Sequence, residues 1–275
     1  MTRSIADPAQ IREEERARLG AEILSVSSAV RPGSRFLDVG AGPLSIPAAR
    51  LGAQVTAISA DPAAIAWLTG WAQREGLHLD ALVSDGPGLP MPDRCFDVTA
   101  SLNGNPLLPG MGQGVEELLR VTRPAGTVLV AAWGARRASE VLTFVAAALQ
   151  AALPGVAPSL MDPGPPFQAR DPQALASLLR VAGLVDVRAN AVICSVRFRS
   201  GAHLWKAFTA SNADVSLLVS RLPRSQCETV QRVLDGMLRE RSGGSRGAVL
   251  HAPVNVATGI RPGERRSSQH KEVLS

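Results

Sequence analysis

The chain has 275 residues, of which 45% are hydrophobic and 19% are charged. This composition excludes a disordered protein, because disordered chains are poor in apolar residues and rich in charge. The net charge is +5 and only 4% of the residues are aromatic. The basic residues are scattered, and the densest group of them is interpreted as a solvated tail: Arg261, Arg265, Arg266 and Lys271. With few aromatic rings to stack on bases, the chain is not expected to bind nucleic acid.

The cysteines and the apolar segments bear on the cellular compartment. The three cysteines, Cys95, Cys194 and Cys227, have no zinc-like spacing, so we predict reduced thiols and no metal site. Residues 1–20 are polar and charged, so no signal peptide is expected. The longest apolar stretch, 141–153, has 13 residues and is too short to cross a bilayer. A cytoplasmic protein without a membrane partner is predicted.

In chain order, a helical segment is followed by alternating strands and helices. Asp7-Pro8 has the N-cap and first-turn proline that begin a helix. This alternation predicts an open parallel sheet with helices on both faces. In such sheets ligands bind beyond the carboxyl ends of the strands, where the strand order reverses. The predicted strands are 35–39, 54–58, 79–83, 96–101 and 126–133, and the predicted helices between them are 44–51, 62–75 and 112–121.

The second half of the chain has a looser pattern. The predicted elements there are helices at 137–153 and 172–183, a long strand at 185–198, two or three helices within 201–241 and a strand at 248–257. Asp171-Pro172 is expected to cap the second of these helices. We predict three segments: a helical segment over 1–30, a main α/β domain over 31–260 with a helical insertion at about 201–241, and a disordered tail over 261–275.

The turn after the first strand is a candidate ligand loop. Its sequence is Leu-Asp-Val-Gly-Ala-Gly-Pro, from Leu37 to Pro43. Glycines allow a sharp turn and close approach of a ligand to the backbone. A dinucleotide fingerprint requires a third glycine where Ser45 stands. Asp38 precedes the glycines and would meet a cationic group rather than a pyrophosphate. The alternative is that Asp38 only caps the amides of the turn.

A second candidate follows the third strand, at Ser84-Asp85. The strand ends at the edge where ligands bind. A carboxylate there can accept a hydrogen bond from an exocyclic amine such as that of adenine.

Together these segments resemble the core of the class I S-adenosylmethionine-dependent methyltransferases, in particular the UbiE-like, type 11 branch. The matching runs are LDVGAGP, VSD with LPMPDRCFDV, and ELLRVTRPAGTVLVAAW, in the order and spacing of the family. The resemblance implies a Rossmann-like, mostly parallel sheet of seven strands with helices on both faces. It also implies an antiparallel last strand, a helical insertion before that strand, and S-adenosylmethionine as the cofactor.

Carried over by position, the resemblance implies a set of cofactor-binding residues. The loop passes under the methionine moiety, with Asp38 near its amino group. The ends of the second and third strands contact the ribose and the adenine, and the end of the fourth strand faces the sulfonium. The residues, in that order, are Gly40, Ala41 and Gly42; Ser59, Ala60 and Asp61; Ser84, Asp85 and Gly86; and Ser101 and Leu102.

Two departures from the family pattern concern the cofactor. Leu44 stands where the family usually has a third glycine, and Ser59 stands where an acid usually holds both ribose hydroxyls. Asp61 either reaches the ribose in place of that acid or caps the next helix. A lost charged hydrogen bond costs about 1.5–3 kcal/mol, which is roughly a ten- to hundredfold loss of affinity.

The acceptor is less well indicated. The expected reaction is in-line transfer of a methyl group to a small, lipophilic or natural-product acceptor. Two alternatives stay open: a protein of this fold without transfer activity, such as a regulatory module or a cyclase-like enzyme, and a nicotinamide-dependent dehydrogenase. The oligomeric state is open, with a homodimer as one alternative.

Candidate acceptor residues come from two parts of the chain. His203 is the candidate base, with a surface histidine at a helix start as the alternative. Asn103 and Asn105 could orient an acceptor or could simply form a turn. An apolar acceptor pocket could be lined by Phe167, Trp205 and Phe208, although tryptophans are more often part of the core.

Overall fold

The computed structural model describes residues 8–84, 88–102, 111–134, 139–155, 171–210 and 219–263. The strands are β1 (Arg35–Val39), β2 (Gln54–Ser59), β3 (Leu79–Val83), β4 (Phe96–Leu102), β5 (Thr122–Trp133), β6 (Val185–Phe198) and β7 (Ala248–Ile260). The helices are α1 (Pro8–Leu24), α2 (Ser45–Arg50), α3 (Pro62–Arg74), α4 (Met111–Val121), α5 (Glu140–Ala152), α6 (Pro172–Val181), α7 (Gly201–Ala210) and α8 (Arg224–Arg241). None of the helices in these ranges has both the length and the apolar character that a membrane span requires.

The strands form one seven-stranded sheet in the order β3-β2-β1-β4-β5-β7-β6, with β7 antiparallel. This confirms the predicted fold class. β1 pairs in parallel with β2 and with β4, so that Val39 lies beside Ile58 on one side and Ser101 on the other. The carboxyl ends of these three strands therefore meet at one edge. The strand order reverses between β1 and β4, which makes that edge the expected ligand site.

β5 begins four residues earlier than predicted, because the strand continues through a bulge at Ala125 and Gly126. The amide of Ala125 donates to the carbonyl of Arg261, and the amide of Arg261 donates to the carbonyl of Gly126, both at 2.9 Å. Two residues of β5 thus face one residue after β7, which is the pattern of a bulge. Ala125 has a φ of +60°. Pro-Ala-Gly in the sequence therefore marks a bulge within the strand and not its beginning.

The contacts of the chain divide it into two compact units. Unit 1 comprises Met1–Val26, Ala131–Leu175 and Ala189–Val256, and unit 2 comprises Ser27–Val130, Ala176–Arg188 and Ala257–Ser275. The core of unit 2 includes the fully buried residues Leu37, Ile58 and Trp71. The core of unit 1 is formed largely by α5, α7 and α8, whose apolar faces pack together. The boundaries predicted for the three sequence segments stay a prediction.

Arg261 corrects the interpretation of the basic group as a solvated tail. Its guanidinium Nη1 donates to the carbonyls of Leu119, Arg120 and Thr122 at 2.6–2.9 Å. These carbonyls lie at the end of α4, where backbone acceptors have no partner within the helix and a cation is favourable. Arg261 therefore caps α4 from a position far along the chain. Arg265, Arg266 and Lys271 lie outside the described residues.

We expect Arg261→Ala to lower the free energy of unfolding by about 1–3 kcal/mol, because three charge-assisted hydrogen bonds are lost. The backbone hydrogen bonds of residue 261 are kept in this variant. Urea unfolding measures the change, and Arg246→Ala is the control, because Arg246 is an exposed arginine. Equal stability of the two variants would contradict a capping role.

Candidate functional site

Asp38 lies at the end of β1 and is buried, with 1% of its surface exposed. Its Oδ2 accepts a hydrogen bond from Ser45 Oγ at 2.6 Å and from the Gly42 amide at 3.2 Å. Its Oδ1 is also buried, and it has no hydrogen-bond partner among the described residues. A buried polar atom without a partner costs free energy. The geometry at Asp38 thus leaves one carboxylate oxygen for a donor that the described residues do not supply.

Burial raises the pKa of Asp38 from 3.8 to about 6. Burial is the largest cause, and the hydrogen bonds from the side chain of Ser45 and from the amides of Gly42 and Ser45 partly oppose it. No charged group is among the causes of the shift. A cation bound beside Oδ1 would favour the ionised form and lower the pKa again.

The loop after β1 is shaped for close approach. Gly40 has a φ of +115° and Ala41 a φ of +46°, and the Gly40 amide donates to the carbonyl of Ile58 at 2.7 Å. The positive φ of Ala41 is costly for a residue with a Cβ, and such strain collects at functional loops. Among the described residues, a Cβ placed on Gly40 or Gly42 would meet no atom within 4 Å. The space beside these two glycines is therefore open.

Asp61 follows the end of β2 and caps the next helix, and its predicted contact with the ribose stays a prediction. Its Oδ1 accepts from the amide of Ala63 at 2.9 Å, so Asp61 is the N-cap of α3. Ser59 is 5% exposed, and its Oγ accepts from the Asp61 amide at 3.1 Å. Ala60, between them, is exposed. Of the two alternatives for Asp61, the helix cap is the one that the structure shows.

The ends of β3 and β4 complete the described part of the edge. Ser84 is half-buried, and its amide donates to the carbonyl of Ser59 at 3.0 Å. Ser101 is buried, and its Oγ donates to the carbonyl of Val39 at 3.2 Å; Leu102 beside it is half-buried. The remaining predicted residues of these turns lie outside the described residues: Asp85, Gly86, Asn103 and Asn105.

The segment at residues 89–91, which follows the predicted adenine site, is held to α4 by hydrogen bonds. Arg120 donates to the carbonyls of Leu89 and Met91, each at 2.9 Å. The Leu89 amide donates to Glu117 Oε2 at 2.9 Å, and Glu117 itself pairs with Arg120. Arg120, the first residue of the Arg-Val-Thr-Arg-Pro run, therefore holds in place the chain just beyond residues 85–87. Its pairing with Glu117 lowers the pKa of that carboxyl.

The candidate acceptor residues that are described lie in unit 1. Trp205 and Phe208 are 4% and 6% exposed and pack in its core, with ring centroids 5.9 Å apart. His203 lies in the first turn of α7, and the Arg199 amide donates to its Nδ1 at 3.4 Å. All three stay predictions as acceptor residues, and Phe167 lies outside the described residues.

The residue that sequence reasoning undervalued is Ser45. It was noted only as the residue that stands at the third glycine of a dinucleotide fingerprint, whereas its hydroxyl makes the shortest contact of Asp38. The sequence feature that could have indicated this contact is a serine seven residues after Asp38, on the other side of the glycine turn. In the described ranges there is no cluster of three or more histidines, cysteines or acids that could hold a metal ion.

With this geometry in hand, residues 37–130 match the family model described as a methyltransferase domain. That part of the chain is therefore similar to methyltransferase domains. The Rv1405c protein of Mycobacterium tuberculosis, described as uncharacterised, is 36% identical over 132 residues, 47% of this chain and 48% of that protein. A 2-methyl-6-phytyl-1,4-hydroquinone methyltransferase of Synechocystis is 34% identical over 108 residues, 38% of this chain and 34% of that enzyme. The chain thus spans about half, or less, of the length of these relatives.

Several solved structures share the fold of this chain. The YcgJ protein of Bacillus subtilis aligns over 88% of this chain and 98% of that chain, with 15% identity and a TM-score of 0.51. The [4+2]-cyclase SpnF aligns over 95% and 85%, with 20% identity and a TM-score of 0.50. Phosphoethanolamine N-methyltransferase 2 of Haemonchus contortus, solved with S-adenosylhomocysteine, aligns over 89% and 52%, with 14% identity and a TM-score of 0.52. At these identities the likeness concerns the fold alone.

Proposed function

We propose that this methyltransferase domain binds S-adenosylmethionine at the carboxyl edge of β1 and β2 and transfers its methyl group to a small acceptor. The observation that carries the proposal is the buried Oδ1 of Asp38, which has no partner among the described residues. The methionine moiety of the cofactor ends in an ammonium group, a cationic donor that fits such an oxygen. The open space beside Gly40 and Gly42 fits a ligand that lies against the loop.

The residues at the edge bind and orient, and the bound cofactor supplies an electrophilic methyl group on a sulfonium. Asp38 holds the amino group, and the loop Gly40–Ala41–Gly42 leaves room for the methionine moiety. Asp85 and Gly86 stay the predicted adenine contacts, next to Ser84. Holding two reactants in line contributes about 7–11 kcal/mol to lowering the barrier. A base is required only for an acceptor that loses a proton during attack.

Ser59 changes how the ribose is held. A carboxylate at this place accepts hydrogen bonds from both ribose hydroxyls, whereas the Ser59 oxygen already accepts from the Asp61 amide. Ser59 can still donate its own hydrogen to one ribose oxygen. One neutral hydrogen bond replaces two charged ones, so this site binds the cofactor with lower affinity than a site with the acid.

The proposed acceptor is a small lipophilic molecule or natural product. The support is the Synechocystis relative, whose name gives a prenylated hydroquinone as its substrate. Asn103, Asn105 and Phe167 are the acceptor residues proposed from the sequence. A first screen for the acceptor should therefore use a panel of hydroquinones and phenols, with prenyl chains short enough to keep them soluble.

Calorimetric titration with S-adenosylmethionine, S-adenosylhomocysteine and NAD tests the cofactor. We expect both sulfur ligands to bind in the micromolar range and NAD not to bind. Gly42→Val should abolish binding, because its side chain fills the space that the ligand needs, and Asp85→Ala should weaken binding. Gly155→Val is the matched control, since no atom of the described residues lies within 4 Å of a Cβ on Gly155 and it lies after α5 in unit 1. Absence of binding at millimolar ligand would refute the proposal.

A second candidate function is a protein of this fold that does not transfer a methyl group. Its support is Ser59 in place of the ribose acid, together with the fold shared with the [4+2]-cyclase SpnF. Transfer of a labelled methyl group from the cofactor to any member of the acceptor panel would refute this candidate. Tight binding of S-adenosylmethionine and S-adenosylhomocysteine alike, with no labelled product from the panel, would favour it.

A further inference from the structure

Ser45 and Asp38 form a buried hydrogen-bonded pair in which only one of the two carboxylate oxygens of Asp38 is used. Ser45 is fully buried, and its Oγ lies 2.6 Å from Asp38 Oδ2. A distance this short is typical of a charge-assisted hydrogen bond from a hydroxyl to a carboxylate. The Gly42 amide donates to the same oxygen. Both contacts fall on Oδ2, and Oδ1 is left for a ligand.

We infer that Ser45 is a positioning residue, whose hydroxyl fixes the Asp38 side chain so that Oδ1 is presented to the ammonium group of the cofactor. This inference rests on the proposed function for the identity of the ligand. Without the Ser45 hydroxyl, Asp38 would keep only the longer contact with the Gly42 amide, 3.2 Å, and the weaker help of the Ser45 amide. The side chain could then turn either oxygen toward the ligand.

Ser45 also opposes the effect of burial on ionisation. It is the largest of the causes that lower the pKa of Asp38. The described elements packed against β1 are α2, β2 and β4, and the charged side chains on or beside them are engaged elsewhere. Arg50 pairs with Glu75, Asp61 caps α3, and Asp97 accepts from the backbone at the start of β1. Among the described residues, the Ser45 hydroxyl is therefore the group that most favours the ionised form of Asp38 in the free protein.

The direct test is titration of the Asp38 carboxyl carbon by NMR in the free protein, with the resonance assigned by its loss in Asp38→Asn. We expect a midpoint near 6 in the wild type. Ser45→Ala should raise the midpoint by about one to two pH units, since a hydrogen bond to the charged form is lost. Ser45→Thr keeps the hydroxyl and should restore it. Ser139→Ala, which removes another buried serine hydroxyl in unit 1, should leave the midpoint unchanged.

The second readout is ligand affinity as a function of pH, with S-adenosylhomocysteine and with 5′-methylthioadenosine, which lacks the amino acid group. For Ser45→Ala we expect S-adenosylhomocysteine to bind about two- to tenfold more weakly at pH 7, since a smaller fraction of Asp38 is ionised. The difference should shrink at pH 9. Binding of 5′-methylthioadenosine should not change. A purely structural role would weaken both ligands at every pH.

The outcomes separate this inference from the proposed function. An unchanged Asp38 titration in Ser45→Ala, or an equal loss of affinity for both ligands at all pH values, overturns the role of Ser45. Failure of the wild type to bind S-adenosylhomocysteine at any pH overturns the proposed function. In that case the titration of the free protein still decides whether Ser45 holds Asp38 in its ionised form.

Discussion

Asp38→Asn is expected to weaken S-adenosylmethionine binding by about ten- to a hundredfold at pH 8. The variant replaces an ionised oxygen by a neutral amide, so the ammonium group of the cofactor loses a charge-assisted hydrogen bond of about 1.5–3 kcal/mol. The neutral amide can still accept from Ser45 and Gly42, so the loop keeps its contacts. Titration calorimetry measures the change. Affinity equal to that of the wild type would mean that Asp38 serves only the turn.

The same variant is expected to stabilise the free protein at pH 8, by about 1–3 kcal/mol. Because the folded-state pKa of Asp38, about 6, lies above the usual 3.8, the folded form binds the proton more tightly than the unfolded form. Stability therefore falls as the pH rises from about 4 to about 6, and the full cost is present above that window. A shift of about two units corresponds to about 3 kcal/mol. Asparagine removes the charge, although it buries an amide donor in the place of Oδ1.

Urea unfolding at pH 5 and pH 8 measures this effect. The gain in stability should be larger at pH 8 than at pH 5, and it should disappear when saturating S-adenosylmethionine is added to the wild type. Asp171→Asn is the control, because Asp171 is an exposed N-cap that asparagine can replace. A loss of stability at pH 8 in Asp38→Asn would contradict the expectation that removal of the buried charge stabilises the free protein.

Gly201→Ala is expected to destabilise unit 1 by about 3 kcal/mol or more, the upper range for overpacked sites. Gly201 begins α7 at its crossing with α8, and its amide donates to Asp235 Oδ1 at 2.6 Å. A Cβ at this position would collide with the carbonyl oxygen of Gln231. The same Cβ would lie 2.7 Å from the Asp235 amide nitrogen and 2.9 Å from Leu234 Cβ. Two of these atoms are backbone and cannot turn away, so the two helices must separate.

Gly236→Ala is the matched control within α8. Among the described residues, no atom lies within 4 Å of a Cβ on Gly236, and alanine is the better helix former by about 1 kcal/mol. We therefore expect this variant to gain about 0.5–1 kcal/mol in urea unfolding. Changes of the same sign and size in the two variants would contradict the close crossing of α7 and α8.

The elements that sequence reasoning predicted well depend on neighbours along the chain. β1 and β3 have the predicted bounds, and the caps at Asp61 and Asp171 were predicted from an acid followed by proline. A cap is formed within three residues, so its signal is local. The bounds of β5 and β7 were less accurate, because a bulge at Ala125 lets pairing continue through residues that usually end a strand.

The sequence by itself determined the sheet class and the presence of Asp38 and the glycines in the turn after β1, and it predicted a ligand at the carboxyl edge of the sheet. These follow from the alternation of strands and helices and from the rule that such sheets bind at their carboxyl ends. Only the tertiary structure decided that Asp38 is buried, that Ser45 takes one of its oxygens, and that Arg261 caps α4. Burial and hydrogen bonds between distant residues depend on how the chain returns on itself, and neither periodicity nor spacing contains that information.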